Sequence, residues 1–120
     1  MLLYWLTAFS LTLAIETPLV VVLLRRREER AAHSVLLAVF ANLATHPLVW
    51  FVFPALPLAP WPRFWASELW ATAAEAVFYG VTVRGLPAAR AATISFVANA
   101  ASATFGLVLS ATPWGSWLWC

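Results

Sequence analysis

Six side chains stand inside long apolar stretches of the 120-residue chain and can still bind a cation or move a proton: Glu16, Asn42, His46, Glu68, Glu75 and Asn99. Polar groups of this kind are costly to bury without partners. A carboxylate at mid-bilayer costs at least about 2.5 kcal/mol on insertion scales, and such a residue is a functional candidate by default. A protonated Glu can donate a hydrogen bond to an Asn side-chain oxygen, so proton uptake and release at a Glu–Asn pair is one mechanism this set allows. The six form the expected substrate- or ion-binding site. Thr12, Thr45, Tyr79 and Ser102 are secondary members, because residues three, four and seven apart share a helix face. By that rule Thr12 joins Glu16, and Asn42 joins Thr45 and His46. Glu68, Thr72, Glu75 and Tyr79 form a third stripe, and Ser95, Asn99, Ser102 and Gly106 a fourth.

Four stretches must carry these faces: 2–24, 31–53, 64–83 and 91–112. Each meets the length of about 20 mostly apolar residues that crosses a bilayer. At 1.5 Å per residue, Glu16, Glu75 and Asn99 lie about 12 Å from the arginine-bearing ends of their stretches, and Asn42 about 16 Å. Four helices would therefore place one strong hydrogen-bonding group each near the middle of the bilayer. His46 lies further out, near the level of Glu68, and the two are placed to pass protons or cations toward the outer face. Pro18 and Pro47 each remove a backbone donor, freeing the carbonyls of Ala14 and Leu43. Those carbonyls are expected either to line a cavity beside Glu16 and His46 or to be repaired by the Thr17 and Thr45 hydroxyls.

Composition sets the class. The chain is 63% hydrophobic and 10% charged, whereas soluble domains are about 45–50% apolar and about 25% charged. Seven Arg and five Glu make up the charge, giving a net of +2. That small excess does not describe a nucleic-acid binder, and no nucleic-acid partner is expected. The expected fold is all-α: a polytopic membrane protein with four transmembrane helices in a single domain, residues 1–120. The first stretch is not read as a signal peptide. It lacks a basic leader and ends in an arginine cluster rather than a small-residue cleavage site.

Positive charge marks the cytoplasmic side. Arg25, Arg26, Arg27 and Arg30 separate the first two stretches, Arg84 and Arg90 separate the last two, and Arg63 stands alone on the other side. Both arginine loops are therefore expected in the cytoplasm and both termini outside, in the cell (inner) membrane. The first four arginines are placed to contact anionic lipid headgroups. Trp5, Trp50, Trp61, Trp65, Trp114, Trp117 and Trp119 fall near the outer face, where Trp prefers the headgroup level. The proline-rich segment 54–63 is expected to be a stiff extended connection on that side.

The halves 1–53 and 64–112 also share a pattern. Glu16 stands nine residues before Arg25, and Glu75 nine before Arg84. Asn42 and Asn99 correspond, and Thr45 and Ser102 follow them by three. This pattern suggests two tandem hairpins in the same orientation, which would make a parallel repeat.

Catalytic chemistry has little footing. No Asp exists, no GxSxG elbow or phosphate-binding glycine loop occurs, and the single Cys120 ends the chain. No catalytic residue and no cofactor is expected. The leading expectation is cation- or proton-linked transport in a homo-oligomer. The alternative is a non-catalytic subunit that assembles with a larger membrane partner. A third reading is an intramembrane metal-dependent enzyme using His46 with Glu16, Glu68 and Glu75, but no HExxH or ExxH pairing supports it.

Overall fold

A computed structural model describes residues 2–27, 30–113 and 115. Among these the chain is all-helical, with no strand. Helix α1 spans Leu2–Leu24, α2 Ala31–Pro47, α3 Pro60–Thr82 and α4 Ala88–Ser110. Helix α2 does not end sharply at Pro47. It continues as a π-helical turn over Leu48–Val52 and a 3-10 turn over Phe53–Ala55. A proline without an N–H disturbs the regular ladder, and the wider turn that follows absorbs the change without breaking the rod.

The proline-rich connection is shorter than the sequence suggests. Pro60 and Pro62 lie in the first turn of α3. The first N–H groups of a helix have no intrahelical partner, so proline there removes nothing that was bonded. Only the segment 56–59 remains as the link. At the other end of the bundle Gly85 takes a φ of 68°, a left-handed conformation that glycine adopts without a Cβ penalty, and so turns the chain from α3 into α4.

The helices alternate in direction. Each packs on its two neighbours, with α1 closing the ring against α4. Buried positions recur at helical spacing: Glu16, Val20 and Leu24 on α1, and Ser67, Ala71, Glu75 and Tyr79 on α3. The packed core fills the half of the bundle nearest the arginine loops, where Val20, Leu24, Leu37, Tyr79, Val83 and Ile94 meet. Ala38, Ala41, Ala91 and Ala98 are also buried there, and small side chains let helix backbones approach closely. Arg90 closes this end by donating from Nη2 to the Leu23 carbonyl at 3.1 Å. A guanidinium at a helix C-terminus satisfies an unpaired carbonyl and opposes the negative end of the helix dipole.

Three of the rods, Leu2–Leu24, Ala31–Ala55 and Ala88–Ser110, are long and apolar enough to cross a membrane. Helix α3 has the length, at 23 residues, but Arg63, Glu68 and Glu75 lower its apolar character. Of the four spans expected from the sequence, three meet this measure. Exposed Val22, Phe40, Leu69, Val77, Phe96 and Val108 give all four helices apolar outer faces. Glu28, Glu29, Trp114, Trp117, Trp119 and Cys120 lie outside the described residues.

Candidate functional site

Above the packed core, toward the end remote from the arginine loops, four helices bring polar groups to one level. Glu16 and Asn42 are each 1% exposed, Glu75 is 1% exposed and Asn99 5%. Asn42 donates from Nδ2 to Glu16 Oε2 at 2.9 Å, and Asn99 donates from Nδ2 to Glu75 Oε2 at 2.8 Å. Each amide nitrogen also donates one turn back along its own helix: Asn42 to the Ala38 carbonyl at 3.2 Å, Asn99 to the Ser95 carbonyl at 3.0 Å. Only the nitrogen can donate to a carbonyl, so these second bonds fix which way each amide points. Each Asn is thus a donor to its Glu, the reverse of a Glu donating to an Asn oxygen.

The second oxygen of each carboxyl is served from the other hairpin. Ser102 donates to Glu16 Oε1, and Thr45 donates to Glu75 Oε1 at 2.9 Å. Each Glu therefore takes one bond from the Asn of its own hairpin and one from a hydroxyl of the opposite hairpin. The same three bond types occur in both halves, with α1 and α2 exchanging roles with α3 and α4.

The hydroxyls have a second acceptor within reach. Thr45 Oγ1 lies 3.2 Å from the Ala41 carbonyl, and Ser102 Oγ lies 3.0 Å from the Asn99 carbonyl. A hydroxyl carries one proton and two lone pairs. Toward an ionised carboxylate it donates. Toward a protonated carboxyl it can accept the carboxyl proton and turn its own hydrogen to the helix carbonyl. Both charge states of Glu16 and Glu75 can thus be held with every hydrogen bond made.

A cavity of about 480 Å³ opens above this layer. Its floor includes Glu16, Asn42, Thr45, Glu75, Asn99 and Ser102. It extends toward the end where Tyr4, Pro54, Phe64 and Ser110 lie. His46 and Glu68 line its walls with Thr12. Glu68 lies within electrostatic reach of Glu16 and Glu75. Among the described residues it has no hydrogen-bond partner. His46 is 8% exposed and its Nδ1 is buried without a partner. Its ring sits among aromatics, 5.2 Å from Phe9 edge-on and 6.1 Å from Trp50 in a stack.

Several expected members stand elsewhere. Tyr79 shares the stripe of Glu75, yet it is wholly buried in the packed core, with an unpartnered hydroxyl and no place in the cavity lining. The freed carbonyls fit neither expectation. Ala14 and Leu43 are exposed residues and do not line the cavity. Thr17 Oγ1 has no partner, and Thr45 bonds to the Ala41 and Asn42 carbonyls and to Glu75 instead. Arg25, Arg26, Arg27 and Arg30 are exposed at the arginine-loop end. Among the described residues no three His, Cys, Asp or Glu side chains form a metal-ligating group, so the metalloenzyme reading has no ligand set.

Sequence reasoning missed Ser67 and Ala103, and gave Gly106 only a place in the α4 stripe. Ser67 is buried and lines the cavity, and its spacing from Ala71 and Glu75 was the available signal. The space itself comes from Ala103 and Gly106, which line the cavity four and seven residues after Asn99. The same steps from Asn42 reach the larger His46 and Val49.

No protein-family model, curated protein or solved structure matches the chain.

Proposed function

We propose that the protein carries protons or cations across a membrane, using Glu16 and Glu75 as paired exchange groups. The observation that carries this reading is the hydrogen-bond arrangement of the two carboxyls. Each has an Asn donor and a hydroxyl that can donate to the charged form or accept from the neutral one. A purely structural carboxyl has no need of a partner that serves both states.

In this reading all four helices cross the bilayer. The polar stripe of α3 turns inward, and Leu69, Val77 and Val81 face lipid. The arginine loops are cytoplasmic and Arg25, Arg26, Arg27 and Arg30 contact anionic headgroups. The cavity opens outward, and the core around Val20, Leu37, Tyr79 and Ile94 is the inner seal. The repeated carboxyl partners support a tandem duplication with a pseudo-two-fold axis along the membrane normal, as in parallel transporter repeats. A chain with four helices is small for a complete pathway, and a homo-oligomer in the cell membrane completes it.

The test is flux in proteoliposomes under imposed pH and cation gradients. Wild type conducts or exchanges. Glu16→Gln and Glu75→Gln abolish flux while circular dichroism shows the helices intact. Unchanged flux in both variants, or none from wild type under any gradient, contradicts the reading.

A second reading has its own support. Glu16 and Glu75 are almost fully buried and bonded, which also suits a subunit whose polar layer fixes helix register and whose outer faces dock a larger membrane partner. Buried hydrogen bonds in membranes are worth about 0.6–2 kcal/mol each, and four at one level suffice for register. Stoichiometric copurification of such a partner, together with a silent wild type in vesicles, would favour it.

A further inference from the structure

The cavity is larger than a proton or a simple inorganic cation needs. At about 480 Å³ it falls in the range of about 300–1,000 Å³ typical of small-molecule sites. Its polar and apolar linings are unequally distributed. Three carboxyls line it and no Arg does, so an anion is disfavoured. Glu16 and Glu75 are engaged by hydrogen bonds in the floor, whereas Glu68 stands on the wall, has no hydrogen-bond partner among the described residues and is the most accessible of the three. His46 lines the cavity too, more than nine-tenths buried and with Nδ1 unpartnered.

The remaining wall is aromatic and aliphatic, with Tyr4, Trp50, Phe64 and Phe105 among the lining residues. An aromatic face attracts a cation, and the attraction grows when water is excluded. The combination of a free carboxyl, aromatic walls and a volume for an organic body selects one chemical class.

We propose that the cavity binds an organic monocation, with its charge held by the carboxyl of Glu68 and its apolar body against Trp50, Phe64 and Phe105. This inference rests on the transport reading by naming a cargo for the same cavity, but it assigns the binding charge to Glu68, not to the Glu16–Glu75 pair. Gly106 is the second determinant. Gly106 lines the cavity and a Cβ built on it meets nothing within 4 Å, so the first atom of a side chain added there has open space.

The experiment is titration of the purified full-length protein with benzyltrimethylammonium, followed by calorimetry and by tryptophan fluorescence. Benzenesulfonate is the anionic control. Wild type binds the cation saturably, one per chain, and does not bind the sulfonate. Glu68→Gln weakens binding at least tenfold, and Gly106→Phe weakens it at least tenfold by filling the space. Gly106→Leu is the smaller companion if the phenylalanine variant does not fold, with folding read from circular dichroism. Equal binding of the sulfonate, or unchanged affinity in Glu68→Gln and the Gly106 variants, overturns the inference. Proton or sodium flux without organic-cation binding overturns the inference and leaves the transport reading standing. Binding without flux of any kind supports the inference and removes the transport reading.

Discussion

Ser102 on α4 donates its hydroxyl hydrogen to the carboxyl of Glu16 on α1 across the seam between the first and last helices. Among the described residues Glu16 is otherwise bonded only to Asn42 of its own hairpin. The Ser102 bond therefore ties the two hairpins together at the level of the site. Ser102→Ala removes the group that can serve both charge states of Glu16. We expect flux in vesicles to fall at least tenfold, and the loss in folding stability to stay near 1 kcal/mol or below, the scale of membrane hydrogen bonds. Ser102→Thr, which keeps the hydroxyl, restores most of the flux. A stability loss with unchanged flux would assign the bond to packing alone.

The equivalence of the two halves predicts matched effects. Asn42→Ala and Asn99→Ala each strip one donor from one carboxyl. Under the duplication reading the two variants lose flux to within a few-fold of each other, and so do Thr45→Ala and Ser102→Ala. Vesicle assays of the four variants check this. A large loss from one half and none from the other would separate the halves functionally.

Tyr79 gives the opposite expectation. Its hydroxyl is buried without a partner, and an unpaired buried donor is a cost to stability. Tyr79→Phe should raise the unfolding midpoint slightly, or leave it unchanged, and should preserve flux. A Tyr79→Phe variant that folds but no longer conducts would place the hydroxyl on the proton path, inside what is read as the inner seal.

Topology is checked by labelling. In a Cys120→Ser background, Leu58→Cys lies in the link before α3 and Ala88→Cys at the start of α4, so the two flank α3, and both positions are exposed. If α3 crosses the membrane with the arginine loops inside, an impermeant maleimide added to intact cells reaches position 58 only. Labelling of both positions from one side would mean that α3 does not cross.

Much of this layer was legible before the fold. The depth count placed Glu16, Asn42, Glu75 and Asn99 at one level because helical rise is fixed at about 1.5 Å per residue, and the structure brings them together in bonded pairs. Helix periodicity also put Thr45 and Ser102 on the same faces. Which hydroxyl meets which carboxyl was not legible, since that depends on α1 packing against α4 and α2 against α3. A cavity beside Glu16 and His46 was one of two alternatives, but its size and walls were not legible. It arises from a difference in side-chain volume, Ala103 and Gly106 on one helix against His46 and Val49 on another, and that difference matters only once the helices face each other.

The proline readings failed for a local reason. The cluster before Phe64 looked like an extended link, but the first turn of a helix accepts proline readily, and α3 begins at Pro60. Near Pro47 the chain changes to π-helical geometry, a response that spacing alone does not specify. Tyr79 was grouped with Glu75 by its position one turn away. A large ring spans most of a helix turn, and here it fills the sealed half of the bundle.

In the proposed mechanism Glu16 and Glu75 exchange protons inside the bundle while their hydrogen bonds are kept. Infrared difference spectroscopy of the carboxyl stretch, recorded across a pH step in reconstituted protein, measures this directly. Wild type should show two buried carboxyls gaining and losing protons in this layer, Glu16→Gln and Glu75→Gln should each remove one of the two signals, and the double variant should remove both. A spectrum whose buried carboxyl signals do not change across the step, or are unaltered by either substitution, would contradict it.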